Sequence, residues 1–195
     1  MHRYFMTAAA HSDLARRKRL RKFLVDFANE EELHYLVAAN DVHKLGRELL
    51  PEPFDVTLWH AYFEKVIVER PFIRLGAACI LENISSGVAR EPSRQALIAP
   101  FLHRDNTKFL VLHQHETLPH GQQIIEALSS AELDASHWAD LLDGARKGTV
   151  FYLRMAEWAV DRQALATVAC PGALTLDARE RLAIERFDMD ELVSA

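Results

Sequence analysis

Glu82 stands in Leu75-Gly-Ala-Ala-Cys-Ile-Leu-Glu-Asn-Ile84, a run apolar enough on every side that its helix should be buried all round. A buried carboxylate is costly unless a cation, a metal or hydrogen-bond donors compensate it. Two other segments offer matching groups: Glu31-Glu-Leu-His34 and His113-Gln-His-Glu-Thr-Leu-Pro-His120. Carboxylates and imidazoles on three segments that should face a core have the composition of a metal site inside a helical bundle. Glu31 and His34 are three apart and so neighbours on one helix face. Carboxylate and imidazole together suit Fe(II) and leave coordination positions open. His113, Glu116 and His120 share a face with Phe109 and Ile124, while His115 points elsewhere.

Each group also has a plainer reading. Glu31 belongs to a Glu30-Glu31-Glu32 run that would suit a surface, with His34 incidental to it. Glu82 would be satisfied by Arg74 or by a core histidine. The late cluster would then be solvent-exposed histidines near a helix break, since Pro119 removes the hydrogen bond to the His115 carbonyl and should kink the helix. Such a kink either turns His120 off the shared face or aims it better.

The elements that must position these groups read as helices throughout. Seven Gly and seven Pro in 195 residues are few, and β-branched runs are scarce, so the fold class expected is all-α. Ser12-Asp13 caps a first long helix towards Gly46, with Leu20, Phe23, Phe27, Glu31, His34, Ala38, Val42 and Leu45 along one stripe and room for a break near Asn29. After Leu50-Pro-Glu-Pro, a second helix carries Trp59, Phe63, Val66 and Ile67 as far as Arg70-Pro71. The Glu82 helix follows, from about Phe72 to Ser86, closed by Gly87. A shorter helix from about Glu91-Pro92-Ser93 bears Ala96, Leu97, Phe101 and Leu102, and the histidine helix starts near Asp105-Asn106. Ser129-Ser-Ala-Glu132 has capping-box spacing ahead of a helix over about Ser136 to Arg146. A last helix runs from Thr149 to Val168 and ends at Cys170-Pro-Gly172. The chain is expected to be one helical domain, 1–195, with its core over about 12–168 and a tail or docked short helix over 172–195.

Composition excludes several classes. Apolar residues at 49% and charged residues at 26% are ordinary for a globular protein, and a net charge of −5 gives no reason to expect nucleic acid. Two cysteines, Cys79 and Cys170, are too few for a disulfide framework, which favours a reducing cytoplasm. Met1-His-Arg-Tyr-Phe has no apolar core of signal-peptide type, and no apolar run reaches membrane-spanning length. Arg16-Arg-Lys-Arg-Leu-Arg-Lys22 packs six cations into seven residues. It reads either as a solvated helix face or as a contact for a phosphate-bearing partner or an acidic carrier protein. Cys79 has no neighbour in sequence to lower its pKa, and His60 and His103 read as structural or surface residues.

These residues resemble a family. Arg74-Leu-Gly-Ala-Ala-Cys-Ile-Leu-Glu-Asn-Ile-Ser-Ser-Gly87 is similar to the Leu-Gly, apolar, Glu-Gly/Asn-x-Ser segment of heme-oxygenase-like proteins. Phe109-Leu-Val-Leu-His113 with His120, and Glu31-x-x-His34 followed by a run to Leu45-Gly46, resemble the ligand helices of that fold's non-heme branch, the heme-oxygenase-like di-iron oxidases and oxygenases. The similarity spans about residues 20 to 165. It implies a bundle of about seven helices and one or two non-heme iron ions, with dioxygen as co-substrate. It also implies oxidation of a small amine, amino acid or fatty acid by N-oxygenation, desaturation or carbon–carbon cleavage. By position, the metal ligands would be Glu31, His34, Glu82, His113, Glu116 and His120, with Glu82 and Glu116 the candidates for catalytic duty. The sequence departs from the family in two places. Thr117 stands where an acidic residue is usual, with Glu116 one before it, and the early carboxylate has only Asp26 and Asp41 as candidates. The thiamin-degrading branch would need a reactive cysteine, for which only Cys79 could serve.

Two functions are therefore expected to compete. One is an iron-dependent, dioxygen-using oxidoreductase with a small-molecule substrate and no membrane or nucleic-acid partner, with a homodimer left open. The other is a metal-free helical binding protein that uses its basic first helix.

Overall fold

In a computed structural model, residues 2–49, 52–83, 98–114 and 120–160 are described, with the side chains of 114, 159 and 160 excepted. The described residues form helices joined by turns, without a strand, as the low Gly and Pro content requires. They are α1 (His2–Ala10), α2 (Ser12–Ala15), α3 (Lys18–Glu31), α4 (His34–Lys44), α5 (Phe54–Glu69), α6 (Pro71–Asn83), α7 (Lys108–Gln114), α8 (His120–Ser129) and α9 (Ala135–Val160). The shorter helix expected from about Glu91-Pro92-Ser93 to Leu102 falls mostly outside the described residues, and its described end, 98–101, is a turn. The segments 84–97, 115–119 and 161–195 also lie outside, and with them Cys170 and the expected tail.

The long helix expected from Ser12 to Gly46 is three helices. It breaks at Arg16-Arg17, where Arg17 takes φ −97° and ψ 63°, and again at Glu32-Leu33. Capping explains the first piece: the His11 ring accepts the Asp13 amide (3.1 Å) and so opens α2. The distal end is sharp. Gly46, at φ 70°, donates to His43 O (2.9 Å) while Arg47 N donates to Val42 O (3.1 Å). This paired closure needs a residue that tolerates the left-handed region, and glycine does so without a Cβ penalty. Upstream, α1 was not expected at all. It is held by burial of Tyr4, Phe5, Ala8 and Ala9, packed on α3, with Phe5 edge-on to Phe27 at 5.0 Å.

The frame of the fold is α6 crossing α9. Pro71 begins α6, a position where its missing N–H costs nothing, and residues 71 to 78 are all buried. Gly144 and Gly148 sit four apart on α9 and face Ile73 and Ala77 of α6, while Gly76 faces Leu141 in return. A Cβ on Gly144 would lie 1.8 Å from the Ile73 carbonyl oxygen, and one on Gly76 2.0 Å from that of Leu141. The two helices thus touch backbone to backbone. This explains why α9 is one helix of 26 residues where the sequence suggests two flanking Lys147-Gly148. Each glycine costs about 1 kcal/mol of helix propensity, and the close packing it permits outweighs that. The start of α9 is capped by Asp134, whose Oδ1 accepts from the amides of Ser136 (2.9 Å) and His137 (3.1 Å). Ser129, expected to open this helix through a capping box, instead closes α8.

Arg74 occupies the middle of the core. It is 1% exposed, with its guanidinium carbon 4.6 Å from the Tyr4 ring centroid, 5.3 Å from Trp59 and 5.4 Å from Phe63. Burial holds its pKa down to about 10 even against the pull of Tyr4 and Glu82. The ring faces partly compensate the cation. At the far end of α9, Arg154 Nε donates to the buried Asp55 (2.7 Å), and Trp158 Nε1 donates to the same carboxylate. These bonds tie α9 to the first turn of α5. No helix among the described residues is long and apolar enough to cross a membrane.

Candidate metal centre

The residues singled out by type come from five different helices. Glu31 is the last residue of α3 and His34 the first of α4, so the break at Glu32-Leu33 falls between them. Even so, Glu31 Oε1 and His34 Nδ1 are 2.9 Å apart. Glu31 is 8% exposed, unlike its neighbours in the acidic run, and so is not the surface residue that run would suggest. Glu82 comes from the C-terminal turn of α6, His113 from α7, and His120 opens α8. A tertiary cap aims α7: Asp41 of α4 is buried, and its Oδ2 accepts the Phe109 amide at 2.7 Å. This sets the helix beside α4 and brings His113 against His34.

His120 sits at the centre and is 2% exposed. Its Nδ1 lies 3.1 Å from Glu31 Oε1 and 3.4 Å from Glu82 Oε2, and its Nε2 3.3 Å from Glu30 Oε1. The three imidazole centroids are 5.1 Å (His34 to His113), 5.5 Å (His113 to His120) and 5.8 Å (His34 to His120) apart. One donor atom from each of Glu31, His113 and His120 falls within a 4.8 Å span. Nitrogen and oxygen ligands bind such metals at about 2.0–2.2 Å, so donors around one ion are separated by about 3 Å at right angles and about 4.2 Å across it. The separations here match that scale with little movement. His113 is oriented from behind: its Nδ1–H donates to Phe109 O (2.8 Å), which leaves Nε2 as the atom with the lone pair.

The polar chemistry inside the cluster is unresolved by hydrogen bonding. Glu31 Oε1 and His34 Nδ1 are both buried, and they meet without hydrogen-bond alignment. Burial alone would raise the Glu31 pKa. The His120 ring beside it and the nearby His34 and His113 rings outweigh it and hold the carboxyl below its ordinary range. A carboxylate kept ionised among imidazoles suits a cation. Apolar walls close the cluster, with Phe27 edge-on to His120 (4.7 Å) and Phe109 against His113 (4.4 Å).

The other sequence candidates fall elsewhere. Glu116, with His115, Thr117 and Pro119, lies outside the described residues. Asp26 is exposed and pairs with Lys22 (2.5 Å), and Asp41 is engaged by the α7 amide, so neither is seen as the early carboxylate. Glu30 takes a place at the cluster that sequence reasoning missed. It is half-exposed, one residue off the buried stripe, and no periodicity marks it. The Cys79 thiol is pushed up to about 11 by burial, which argues against a reactive thiolate. His60 is bound to the Tyr4 hydroxyl (2.6 Å) and stacked on its ring, a structural role. In the basic run, Arg17 donates to the Glu132 carbonyl (3.2 Å) with its guanidinium over Phe72, while Arg16, Lys18, Arg19 and Arg21 are exposed. No family model matches the chain, and neither a curated protein nor a solved structure matches it.

Proposed function

We propose that this protein is a non-heme iron oxidoreductase that uses dioxygen on a small organic substrate (an amine, an amino acid or a fatty acid). The observation that carries the proposal is the meeting of residues from five helices in a mostly buried place: Glu31, His34, Glu82 and His120 have donor atoms 2.9 to 3.4 Å apart, and His113 joins Glu31 and His120 within a 4.8 Å span. The family resemblance of the same residues supplies the reaction class. The donor set fits the metal, since mixed carboxylate and imidazole ligands suit Fe(II), and buried donors without aligned hydrogen bonds are what a binding site requires.

Glu31, His34, Glu82, His113 and His120 would hold the ion. Bound Fe(II) would bind dioxygen and pass electrons to it, with the oxidised substrate or an external reductant supplying the balance. Glu31 and Glu82 contribute negative charge, and the Phe109 carbonyl fixes which nitrogen His113 presents. Phe27 and Phe109 keep water from two of the imidazoles. The metal-free binding reading would use the exposed Arg16, Lys18, Arg19, Arg21 and Lys22, while Arg17 is engaged within the chain.

The test is anaerobic loading with Fe(II), followed by an oxygen pulse with uptake recorded. The wild type should retain iron through desalting and consume oxygen, while His113→Ala and His120→Ala should retain far less iron. Iron retention that survives both substitutions would contradict the assignment.

A further inference from the structure

Glu30 touches the cluster from outside. Its side chain is 51% exposed, yet its Oε1 lies 3.3 Å from Nε2 of His120, which is 2% exposed, in hydrogen-bond alignment. A carboxylate can only accept, so in this contact the proton is on Nε2. The ring then turns its other nitrogen inward. Nδ1 is the atom 3.1 Å from Glu31 Oε1 and 3.4 Å from Glu82 Oε2. His113 is held the opposite way, its Nδ1–H donated to the Phe109 carbonyl and its Nε2 presented. Two imidazoles of one cluster are thus fixed in opposite senses by two different acceptors.

Packing next to His120 fixes where its helix begins. His120 opens α8, and the next residue, Gly121, is pressed so closely on α6 that a Cβ there would lie 2.3 Å from the Asn83 side chain. Asn83 is adjacent to Glu82. The Asn83 side chain thus packs against the first turn of α8, next to the Glu82 that His120 faces. In this placement Nδ1 is the ring nitrogen that faces both inner carboxylates, Glu31 and Glu82.

We propose that Glu30 is a positioning residue, one that fixes the tautomer and orientation of His120 so that Nδ1, not Nε2, binds the metal. The inference rests on the metal centre proposed above and assigns within it a role to a residue outside the ligand set. A carboxylate behind a ligating histidine fixes the ring and raises its basicity, and loss of such a partner generally costs about 10–100-fold in metal affinity. The plainer account is that Glu30 is a surface side chain that merely passes near the ring.

Zn(II) serves as a diamagnetic probe for the test, because imidazole binds it well. In the full chain with 15N-labelled histidine, long-range proton–nitrogen correlation should show His120 with Nε2 protonated and Nδ1 bound to Zn(II), and His113 with the reverse. Glu30→Ala should lower Zn(II) affinity about 10–100-fold. Glu30→Gln, whose amide oxygen can still accept from Nε2, should recover part of that loss. The melting temperature of metal-free Glu30→Ala should match wild type, since the side chain is half-exposed. Wild-type affinity in Glu30→Ala, or Zn(II) on Nε2 of His120 in the wild type, would overturn the positioning role alone. Failure of the wild type to bind Zn(II) would overturn the metal centre itself.

Discussion

Gly144→Ala should destabilise this protein even though alanine is the better helix former. Propensity alone favours the substitution by about 1 kcal/mol. The structure opposes it: the new Cβ would lie 1.8 Å from Ile73 O, 2.6 Å from its carbonyl carbon and 2.9 Å from its Cα. Ordinary contact begins at 3.4 Å, so α6 and α9 are more than 1 Å too close to admit it. The obstacle is backbone in the middle of a buried helix, and no side-chain rotation relieves it. Parting the helices loosens Ile73, Ala77 and Leu141 together. Overpacking of this kind costs about 1–3 kcal/mol, and a rigid backbone obstacle puts it at the upper end. The net loss is about 1–2 kcal/mol, or about 2–8 °C in Tm for a chain of this size. Thermal melts followed by far-ultraviolet circular dichroism would read it directly. Gly148→Ala, with its nearest obstacle 2.8 Å away, should cost less by itself and little more once Gly144→Ala has parted the helices. A rise in Tm for Gly144→Ala would refute the close crossing and restore the reading of two separate helices.

Further outcomes follow from the charged groups. Metal-free Glu82→Ala should keep or raise the wild-type Tm, because His120 then shares its buried site with one fewer carboxylate; a marked fall would make Glu82 a structural hydrogen-bonding residue. Asp55→Asn should lower Tm by a few degrees at neutral pH. Burial would raise the Asp55 pKa, but hydrogen bonds from Arg154 and Trp158 and the Arg154 charge hold it below the ordinary value. A depressed folded value gives stability that is complete above the unfolded pKa of about 3.9 and lost as pH falls through the folded one. The Tm gap between wild type and Asp55→Asn should therefore be constant from about pH 5 to 7 and shrink below about pH 4; a gap independent of pH would refute it.

The sequence makes the helical class legible through its few glycines and prolines and its three- and four-residue apolar spacing. Pro53 and Pro71 mark the limits of α5 because neither can sit within a helix without cost. The cluster was legible for a similar reason: Glu31, His34, Glu82, His113 and His120 are polar residues on stripes that should be buried, and the fold brings them together. Other features depend on tertiary contacts that no local pattern carries. The break at Arg17 goes with a guanidinium laid over Phe72 and bonded to Glu132 O. The tie from Asp41 to the start of α7 joins residues 68 apart in sequence. Gly148 reads as a helix break, and the close approach at Gly144 is invisible, because their partners, Ala77 and Ile73, belong to another helix. Glu30 was invisible because an exposed glutamate in an acidic run looks like solvated surface.

X-ray absorption on the anaerobic Fe(II)-loaded protein tests the central claim most directly. The account predicts tightly retained iron with nitrogen and oxygen ligands at about 2.0–2.2 Å and the multiple-scattering signature of at least two imidazoles. His120→Ala should remove one imidazole and most of the iron. A wild-type spectrum without an imidazole contribution, or one unchanged by His120→Ala, would contradict a metal centre at Glu31, His113 and His120.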